Sequence, residues 1–174
     1  MQITVSGIIG SGKSTVAKLL AEAIGYEYHS VGGIMREMAT ERGMHIIDLS
    51  KIAESNPLID MELDARQKTF KDKDNFVMDS RLGFHFIPTS YRVFLSVKLD
   101  EAARRIHSSD RGEEEYYDLD QAIDNIKRRI RSEQKRYKEY YNLDFPKAEH
   151  FDVIIDTTNK TPQEVVEEIL RAVG

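Results

Sequence analysis

Short β-rich runs alternate along this chain with stretches whose apolar residues recur at helical spacing. That order predicts an α/β protein built on a parallel sheet with helices on both faces. The first run is Ile3-Thr4-Val5-Ser6. After a glycine-rich loop, Val16, Leu19, Leu20, Ala23 and Ile24 mark a helix over residues 14–24, closed by Gly25. Residues 26–29 read as a second strand, and residues 31–42 as a helix stopped by Gly43. Asn56 caps a helix that opens on Pro57, the residue best tolerated at a first helical position, and runs to about Lys71. Phe76-Val77-Met78, ending at Asp79, is a third strand. Residues 92–97 are a fourth, followed by a helix over residues 101–106. Asp118-Leu119-Asp120-Gln121 has the form of a capping box with Asp at its head, and it opens the longest helix, reaching about Tyr141. Val153-Ile154-Ile155 is the fifth strand, and Thr161-Pro162-Gln163-Glu164 caps a final helix that reaches Ala172.

A chain of 174 residues suits one domain, residues 1–174, with a single core. Hydrophobic residues at 40% and charged residues at 32% are ordinary for a soluble globule, so neither disorder nor a membrane class is indicated. Absence of cysteine removes disulfides, thiol catalysis and the common structural zinc sites, and it suits a reducing compartment. The opening residues read as a strand entering a loop, with no basic stretch, apolar run or cleavage signal, so a cytoplasmic location is expected. A formal net charge of −5 weighs against generic nucleic-acid binding, and any phosphate site must therefore be local. Around Glu113-Glu114-Glu115 the chain is expected to form a solvated, mobile loop. No exposed apolar stripe is evident, and a monomer is expected.

The strongest chemical signal is Gly7-Ile8-Ile9-Gly10-Ser11-Gly12-Lys13-Ser14, a full match to G-x-x-x-x-G-K-[ST] between a β-rich run and a helix. Glycines let the backbone wrap closely around phosphate oxygens with N–H groups aimed inward, and the next helix presents its positive dipole end. Lys13 is expected to reach the β- and γ-phosphates of ATP, the Ser14 hydroxyl to ligate Mg²⁺, and Thr15 to complete the nucleotide contact. A GTPase would need a guanine-reading Asn-Lys-x-Asp after a late strand. Asn159-Lys160-Thr161-Pro162 begins that pattern and lacks the Asp, but its place after the last strand would let Asn159 or Lys160 flank an adenine.

Residues 127–138 hold seven basic side chains, which a helical wheel divides. Ile123, Ile126, Ile130, Tyr137 and Tyr141 form one stripe, and Arg128, Arg131, Lys135 and Lys138 lie on the far side, facing solvent. Arg129 and Arg136 fall together on one edge of the stripe, placed to converge on an anion, for which the guanidinium fork is well matched. Their neighbour Glu133 offers the structural alternative of an ion pair. The five histidines show no metal spacing, and no Ser/His/Asp arrangement is legible.

With these features together the chain resembles the nucleoside monophosphate kinases, and in particular the short archaeal-type cytidylate kinases. The similarity covers nearly the whole chain. Besides the P-loop it rests on Ser30-Val31-Gly32-Gly33-Ile34-Met35-Arg36-Glu37, Ile59-Asp60-Met61-Glu62-Leu63-Asp64-Ala65-Arg66-Gln67, and Met78-Asp79-Ser80-Arg81-Leu82. Arg129 and Arg136 with Tyr137, and the ending Asp152-Val153-Ile154-Ile155-Asp156-Thr157, complete it. The resemblance implies a five-stranded parallel sheet with an acceptor-binding segment at about residues 30–72 and a lid at about residues 106–136. It implies that Arg36 and Arg81 grip the acceptor phosphate near Ser30 and Gly32, and that Arg129 and Arg136 come down with the lid onto the transferring group. It places Asp60 and Arg66 near the acceptor base, where a carboxylate and a guanidinium complement the amino and carbonyl edges of cytosine. Arg105 would cover adenine, and Asp79 would hold Mg²⁺ through water. The family often carries Glu and Gly where Asp79 and Ser80 stand, and the acidic Glu113-Glu114-Glu115-Tyr116-Tyr117 is unusual for its lid.

A nucleotide phosphate is already anionic near neutral pH, so transfer to it requires no general base, only in-line placement and neutralisation of charge by Lys13, Mg²⁺, Arg81, Arg129 and Arg136. CMP or dCMP is the expected acceptor. AMP or UMP, or a hydroxyl acceptor such as shikimate, gluconate or dephospho-CoA, are the alternatives, as is an RNA-binding module using the solvent face of the basic helix.

Overall fold

Strand β1 (Gln2–Gly7) buries Ile3 and Val5 on one face and Thr4 and Ser6 on the other, the signature of a strand covered on both sides. β3 (Phe76–Asp79) is buried throughout, whereas β2 (Glu27–Ser30) is only partly covered. With β4 (Tyr91–Ser96) and β5 (Val153–Asp156) they form a five-stranded sheet in the order β2-β3-β1-β4-β5. The pairings of β1 with β3, β2 with β3 and β4 with β5 are parallel, in registers that set Val5 and Ser30 beside Asp79, and Ser96 beside Asp156. The computed structural model describes residues 1–108 and 118–174. The acidic Glu113-Glu114-Glu115 run, with Tyr116 and Tyr117 and most of the expected lid entrance, lies outside the described residues.

The chain divides into two compact units, one of Met1–Ser6 with Ala17–Arg92 and the other of Gly7–Val16 with Val93–Gly174. In the first, α2 (Val31–Glu41) is capped by Ser30, whose Oγ accepts from Gly33 N at 2.9 Å. α4 (Pro57–Lys68) is capped by Asn56 with Pro57 in its first turn, as the sequence predicts, and Thr69–Asp72 continues it as a 3₁₀ turn. Between them lies α3 (Ile46–Ala53), a helix the sequence reading leaves out. Its N-cap is His45, whose Nδ1 accepts from Ile47 N at 3.4 Å, and it buries fully only Leu49 while Ile47 and Ile52 stay exposed, so no usual cap announces it. After β3 a single turn, Gly83–Phe86 (α5), buries Phe84 and Phe86. Gly83 there sits so close to Thr4 that a Cβ would meet its side chain at 3.1 Å.

In the second unit, α6 (Leu99–Ser108) and α7 (Leu119–Tyr141) enclose a small apolar core of Val97, Ala102, Ala103, Ala122 and Ile126. Ile8, Ile9, Leu99, Ile106, Ile123 and Ile130 pack against it. Asp118 caps α7 through Oδ1 to Gln121 N at 2.8 Å. α8 (Pro162–Val173) opens on a reciprocal capping box between Thr161 and Glu164, matching the sequence expectation. Phe145 meets Phe94 and Tyr137 edge to face, ring centroids 5.9 and 5.5 Å apart, and Phe151 lies tilted against Phe94 at 4.7 Å. No helix among the described residues is long and apolar enough to cross a membrane.

Candidate active site

The loop between β1 and α1 (Lys13–Ile24) is wound as a phosphate cradle. Gly10 and Gly12 take φ of +79° and +78°, a region that side chains adopt only under strain. A Cβ on Gly7 would lie 2.7 Å from Ser11 Oγ and 2.8 Å from the Leu95 carbonyl oxygen, and one on Gly10 would lie 2.7 Å from Ala102 Cβ. The backbone thus lies too close to its surroundings for any residue but glycine at those two positions. Ile8 and Ile9 turn their side chains into the α6/α7 core and leave their backbone to the loop. Ser11 Oγ is buried without a hydrogen-bond partner, as fits a pocket shaped around an anion. Lys13, Ser14 and Thr15 begin α1, so the positive end of that helix opens at the loop.

The same unit holds five more of the residues singled out for the nucleotide. Arg129 and Arg136 are exposed on α7, which runs unbroken through both and keeps them on one side about 10 Å apart along the axis. The Arg136 guanidinium lies 6.0 Å from the Tyr137 ring centroid. Arg105 does not project free: Nε donates to Glu101 Oε1 at 2.9 Å, Nη1 to Thr157 Oγ1 at 3.1 Å and to the Gly10 carbonyl at 3.4 Å, and Nη2 to the carbonyls of Thr157 at 2.6 Å and Thr158 at 3.3 Å. Its edges are therefore committed to the protein, which leaves the plane of the group to cover a base. Asn159 is exposed beyond β5, while the Lys160 ammonium pairs with Glu168 of α8 at 2.8 Å.

In the first unit the C-terminal ends of β2 and β3 carry the acceptor candidates, at the edge of a parallel sheet where ligands bind. Ser30 ends β2 and caps α2, Gly32 lies in the first turn, and Arg36 folds back over it, its Nη1 3.8 Å from where a Gly32 Cβ would stand. Asp79 ends β3 and is buried, and the Tyr28 hydroxyl donates to its Oδ2 at 3.2 Å. Burial first, then the Asp79 carboxylate, push the Tyr28 phenol above its ordinary pKa, so it keeps its proton and stays a donor. Behind the following turn, Ser6 Oγ donates to the carbonyls of Ser80 and Arg81 at 3.0 and 3.1 Å, and Ser80 Oγ to buried Gln67 Oε1 at 2.7 Å. These bonds set the chain direction that leads to Arg81.

Asp60 and Arg66 lie on α4, Asp60 exposed in its first turn. Arg66 forks onto Glu41 of α2, with Nη1 at 2.8 Å from Oε1 and Nη2 against Oε2, and its Nε and Nη2 reach Glu62 Oε1 at 3.2 and 2.8 Å. Arg42 closes the network on Glu62 Oε2. Glu41 is held below the usual carboxylate range by Arg66, and Glu62 by Arg42 and then Arg66. Sequence reasoning passed over Tyr28, whose aromatic character in a weak strand says nothing of its neighbour Asp79 across the sheet. It also gave no separate role to Thr157, whose partners lie up to 146 residues away.

A glycine-wrapped loop feeding a helix from the middle of a parallel sheet defines a P-loop phosphate-binding protein. The model of the cytidylate kinase-like family matches residues 2–159, and the chain belongs to that family. It is 36% identical over 171 residues to a cytidylate kinase of Methanobrevibacter smithii, spanning 98% of this chain and 96% of that one. It is also 34% identical to a stretch of an S-adenosylmethionine-dependent nucleotide dehydratase of Lacinutrix mariniflava, covering 97% of this chain but only 35% of that relative's length. Among solved structures, a shikimate kinase from Bacteroides thetaiotaomicron superimposes with a TM-score of 0.71 over 99% of this chain and 98% of that one. At 15% identity it shares the fold alone.

Proposed function

We propose that this chain transfers the γ-phosphoryl group of ATP to a nucleoside monophosphate, CMP or dCMP, and releases ADP and the diphosphate. The observation that carries this reading is the cradle at Gly7 to Ser14 in a member of the cytidylate kinase-like family. In it residues 1–174 act as one kinase domain, with the acceptor held by the segment at about residues 30–72 and the lid spanning about residues 106–136. The names of the cytidylate kinase relatives and the family description support the acceptor class.

The residues present suit ATP with Mg²⁺. Among the described residues no cluster of three His, Asp or Glu side chains is placed to hold a metal, so the donors would be the Ser14 hydroxyl and, through water, the Asp79 carboxylate. Such hard oxygen donors, few in number and completed by phosphate and water, match the habits of Mg²⁺. When bound, that ion would neutralise charge on the β- and γ-phosphates. Lys13 would reach the same phosphates, backbone N–H groups of the loop would hold them, and Arg105 would lie flat against the adenine beside Asn159 and Lys160. Ser30, the first turn of α2, Arg36 and Arg81 would grip the acceptor phosphate, with Asp60 and Arg66 at its base. An oxygen of that phosphate forms the new bond to the γ-phosphorus as the bond to the β–γ bridging oxygen breaks, and ADP leaves with the electron pair. No proton need be removed from the nucleophile, so no general base is required. Arg81, Arg129 and Arg136 would neutralise the charge spread over the equatorial oxygens. Small nucleotides are the expected partners, the protein acting as a cytoplasmic monomer without nucleic acid or membrane.

ADP formation measured with each common nucleoside monophosphate in turn tests the reading. CMP and dCMP should give the highest kcat/KM. Activity on shikimate or gluconate with none on any nucleotide would overturn it.

A further inference from the structure

Gly10 and Ser11 carry the peptide groups on which the cradle depends, and the structure ties both from outside. The carbonyl of Gly10 accepts from Arg105 Nη1 at 3.4 Å, while on the other side of that peptide Ser11 N donates to the Ile8 carbonyl at 3.2 Å. The carbonyl of Ser11 accepts from Thr157 Oγ1 at 3.1 Å. Thr157 is 2% exposed, its hydroxyl hydrogen is shared with the Ser96 carbonyl, also 3.1 Å away, and its own N–H donates to Ser96 O at 2.9 Å. The same Oγ1 accepts from Arg105 Nη1 at 3.1 Å. One buried hydroxyl therefore joins the ends of β4 and β5, α6 and the phosphate loop.

The chemistry of the peptide group gives this arrangement its consequence. A trans peptide is planar, with its N–H opposite its C=O. Drawing the Ser11 carbonyl toward Thr157 therefore aims the Gly12 N–H the other way. Gly12 has φ +78° and no atom within 4 Å of a Cβ position, so its own side of the loop is open and only its neighbours can fix that plane. A loop of five residues, two of them glycine, without such a tie would lose conformational freedom each time a phosphate bound.

We propose that Thr157 and Arg105 are positioning residues for the phosphate cradle, a clasp that orients the 10–11 and 11–12 peptides before the triphosphate arrives. This assigns Arg105 a task on the phosphate side in addition to any cover it gives the base, and it gives Thr157 a task without ligand contact. The proposal rests on the P-loop reading above and deepens it.

Two probes separate a clasp from a base contact: magnesium tripolyphosphate, which has no base, and magnesium ATP. Their dissociation constants are measured by calorimetry for the intact chain and for Thr157→Val, Thr157→Ser and Arg105→Ala, with KM for the acceptor as a parallel readout. Thr157→Val keeps the shape and removes the hydroxyl; it should weaken both probes by the same factor, roughly tenfold for a buried hydrogen-bonding group. Thr157→Ser should restore both, and acceptor KM should stay unchanged. Arg105→Ala should weaken tripolyphosphate as well as ATP. Unchanged tripolyphosphate affinity in Arg105→Ala and Thr157→Val would overturn the proposal. If Thr157→Val does not fold, Arg105→Ala decides alone. Failure of the intact chain to bind either probe would overturn the P-loop reading itself.

Discussion

Two arginines, Arg105 in the unit that holds the phosphate loop and Arg66 in the unit that holds the proposed acceptor segment, are each engaged along their whole fork but by different chemistry. Four of the five acceptors of Arg105 are carbonyl or hydroxyl oxygens, which do not titrate, and its partner Thr157 is buried. Arg66 instead pairs with two carboxylates, Glu41 and Glu62, the first of them more than half exposed at 54%. The first set of bonds replaces water that the loop carbonyls could not keep, so its loss leaves polar groups stranded. The second exchanges readily with solvent and ions, so its loss costs little. On the proposed function, a loop held rigid before its ligand arrives would lose less freedom on binding, whereas a segment that receives an acceptor would gain from contacts that rearrange cheaply.

The largest effect that breaks this contrast should come from Gly10→Ala. Its Cβ would meet the Ala102 Cα at 2.8 Å, and backbone at φ +79° adds strain of about 1–3 kcal/mol. We expect ATP binding to fall below detection in calorimetry and the thermal midpoint to drop. Removing Arg36 should come next: Arg36→Ala deletes the charged donor proposed for the acceptor phosphate, and a loss of about 1.5–3 kcal/mol would raise acceptor KM by on the order of tenfold or more. Steady-state kinetics should find KM for ATP unchanged in that variant. Tyr28→Phe removes the hydrogen bond to Asp79 and keeps the ring; we expect kcat to fall several-fold, near the about 1 kcal/mol typical of one such bond, with the Mg²⁺ concentration required for half-maximal rate rising.

The smallest effect sharpens the comparison through pH. Arg66→Met should shift the thermal midpoint only slightly at neutral pH. Glu41 and Glu62 have folded pKa values depressed below the ordinary 4.5, so their pairing stabilises the chain above about pH 4.5 and is lost as pH falls through the lower folded values. Thermal scans from neutral pH downward should show the intact chain losing stability across that window more steeply than Arg66→Met. Thr157→Val, whose hydroxyl does not titrate, should keep the acid dependence of the intact chain.

The P-loop, the sheet class and most helix ends were legible because local rules carry them. Gly10 and Gly12 announce left-handed backbone, Asn56-Pro57 and Thr161-Pro162 announce caps, and runs such as Phe76-Val77-Met78 announce buried strands. The start of α3 was not legible, because Ile46, Leu49 and Ala53 do fall at helical spacing but the imidazole of His45 stands where Ser, Thr, Asp or Asn usually marks a helix start. On the long helix, the wheel separated the buried face, with Ile126 and Tyr137, from the exposed Arg128, Arg131, Lys135 and Lys138, since periodicity alone decides that.

What the sequence determined by itself is the chemistry on offer: a cradle for phosphate, arginines at several strand and helix ends, and no cysteine or histidine cluster. Only the tertiary structure decided which of those arginines are already held. Arg66 and Arg105 look alike along the chain, yet one answers to carboxylates four and 25 residues away and the other to carbonyls 52 to 95 residues away. A hydrogen bond depends on separation in space, and sequence distance fixes separation only within a turn or a helix. The partners of Tyr28 and Thr157 lie beyond that reach, and the folded sheet alone brings them within 3.2 Å.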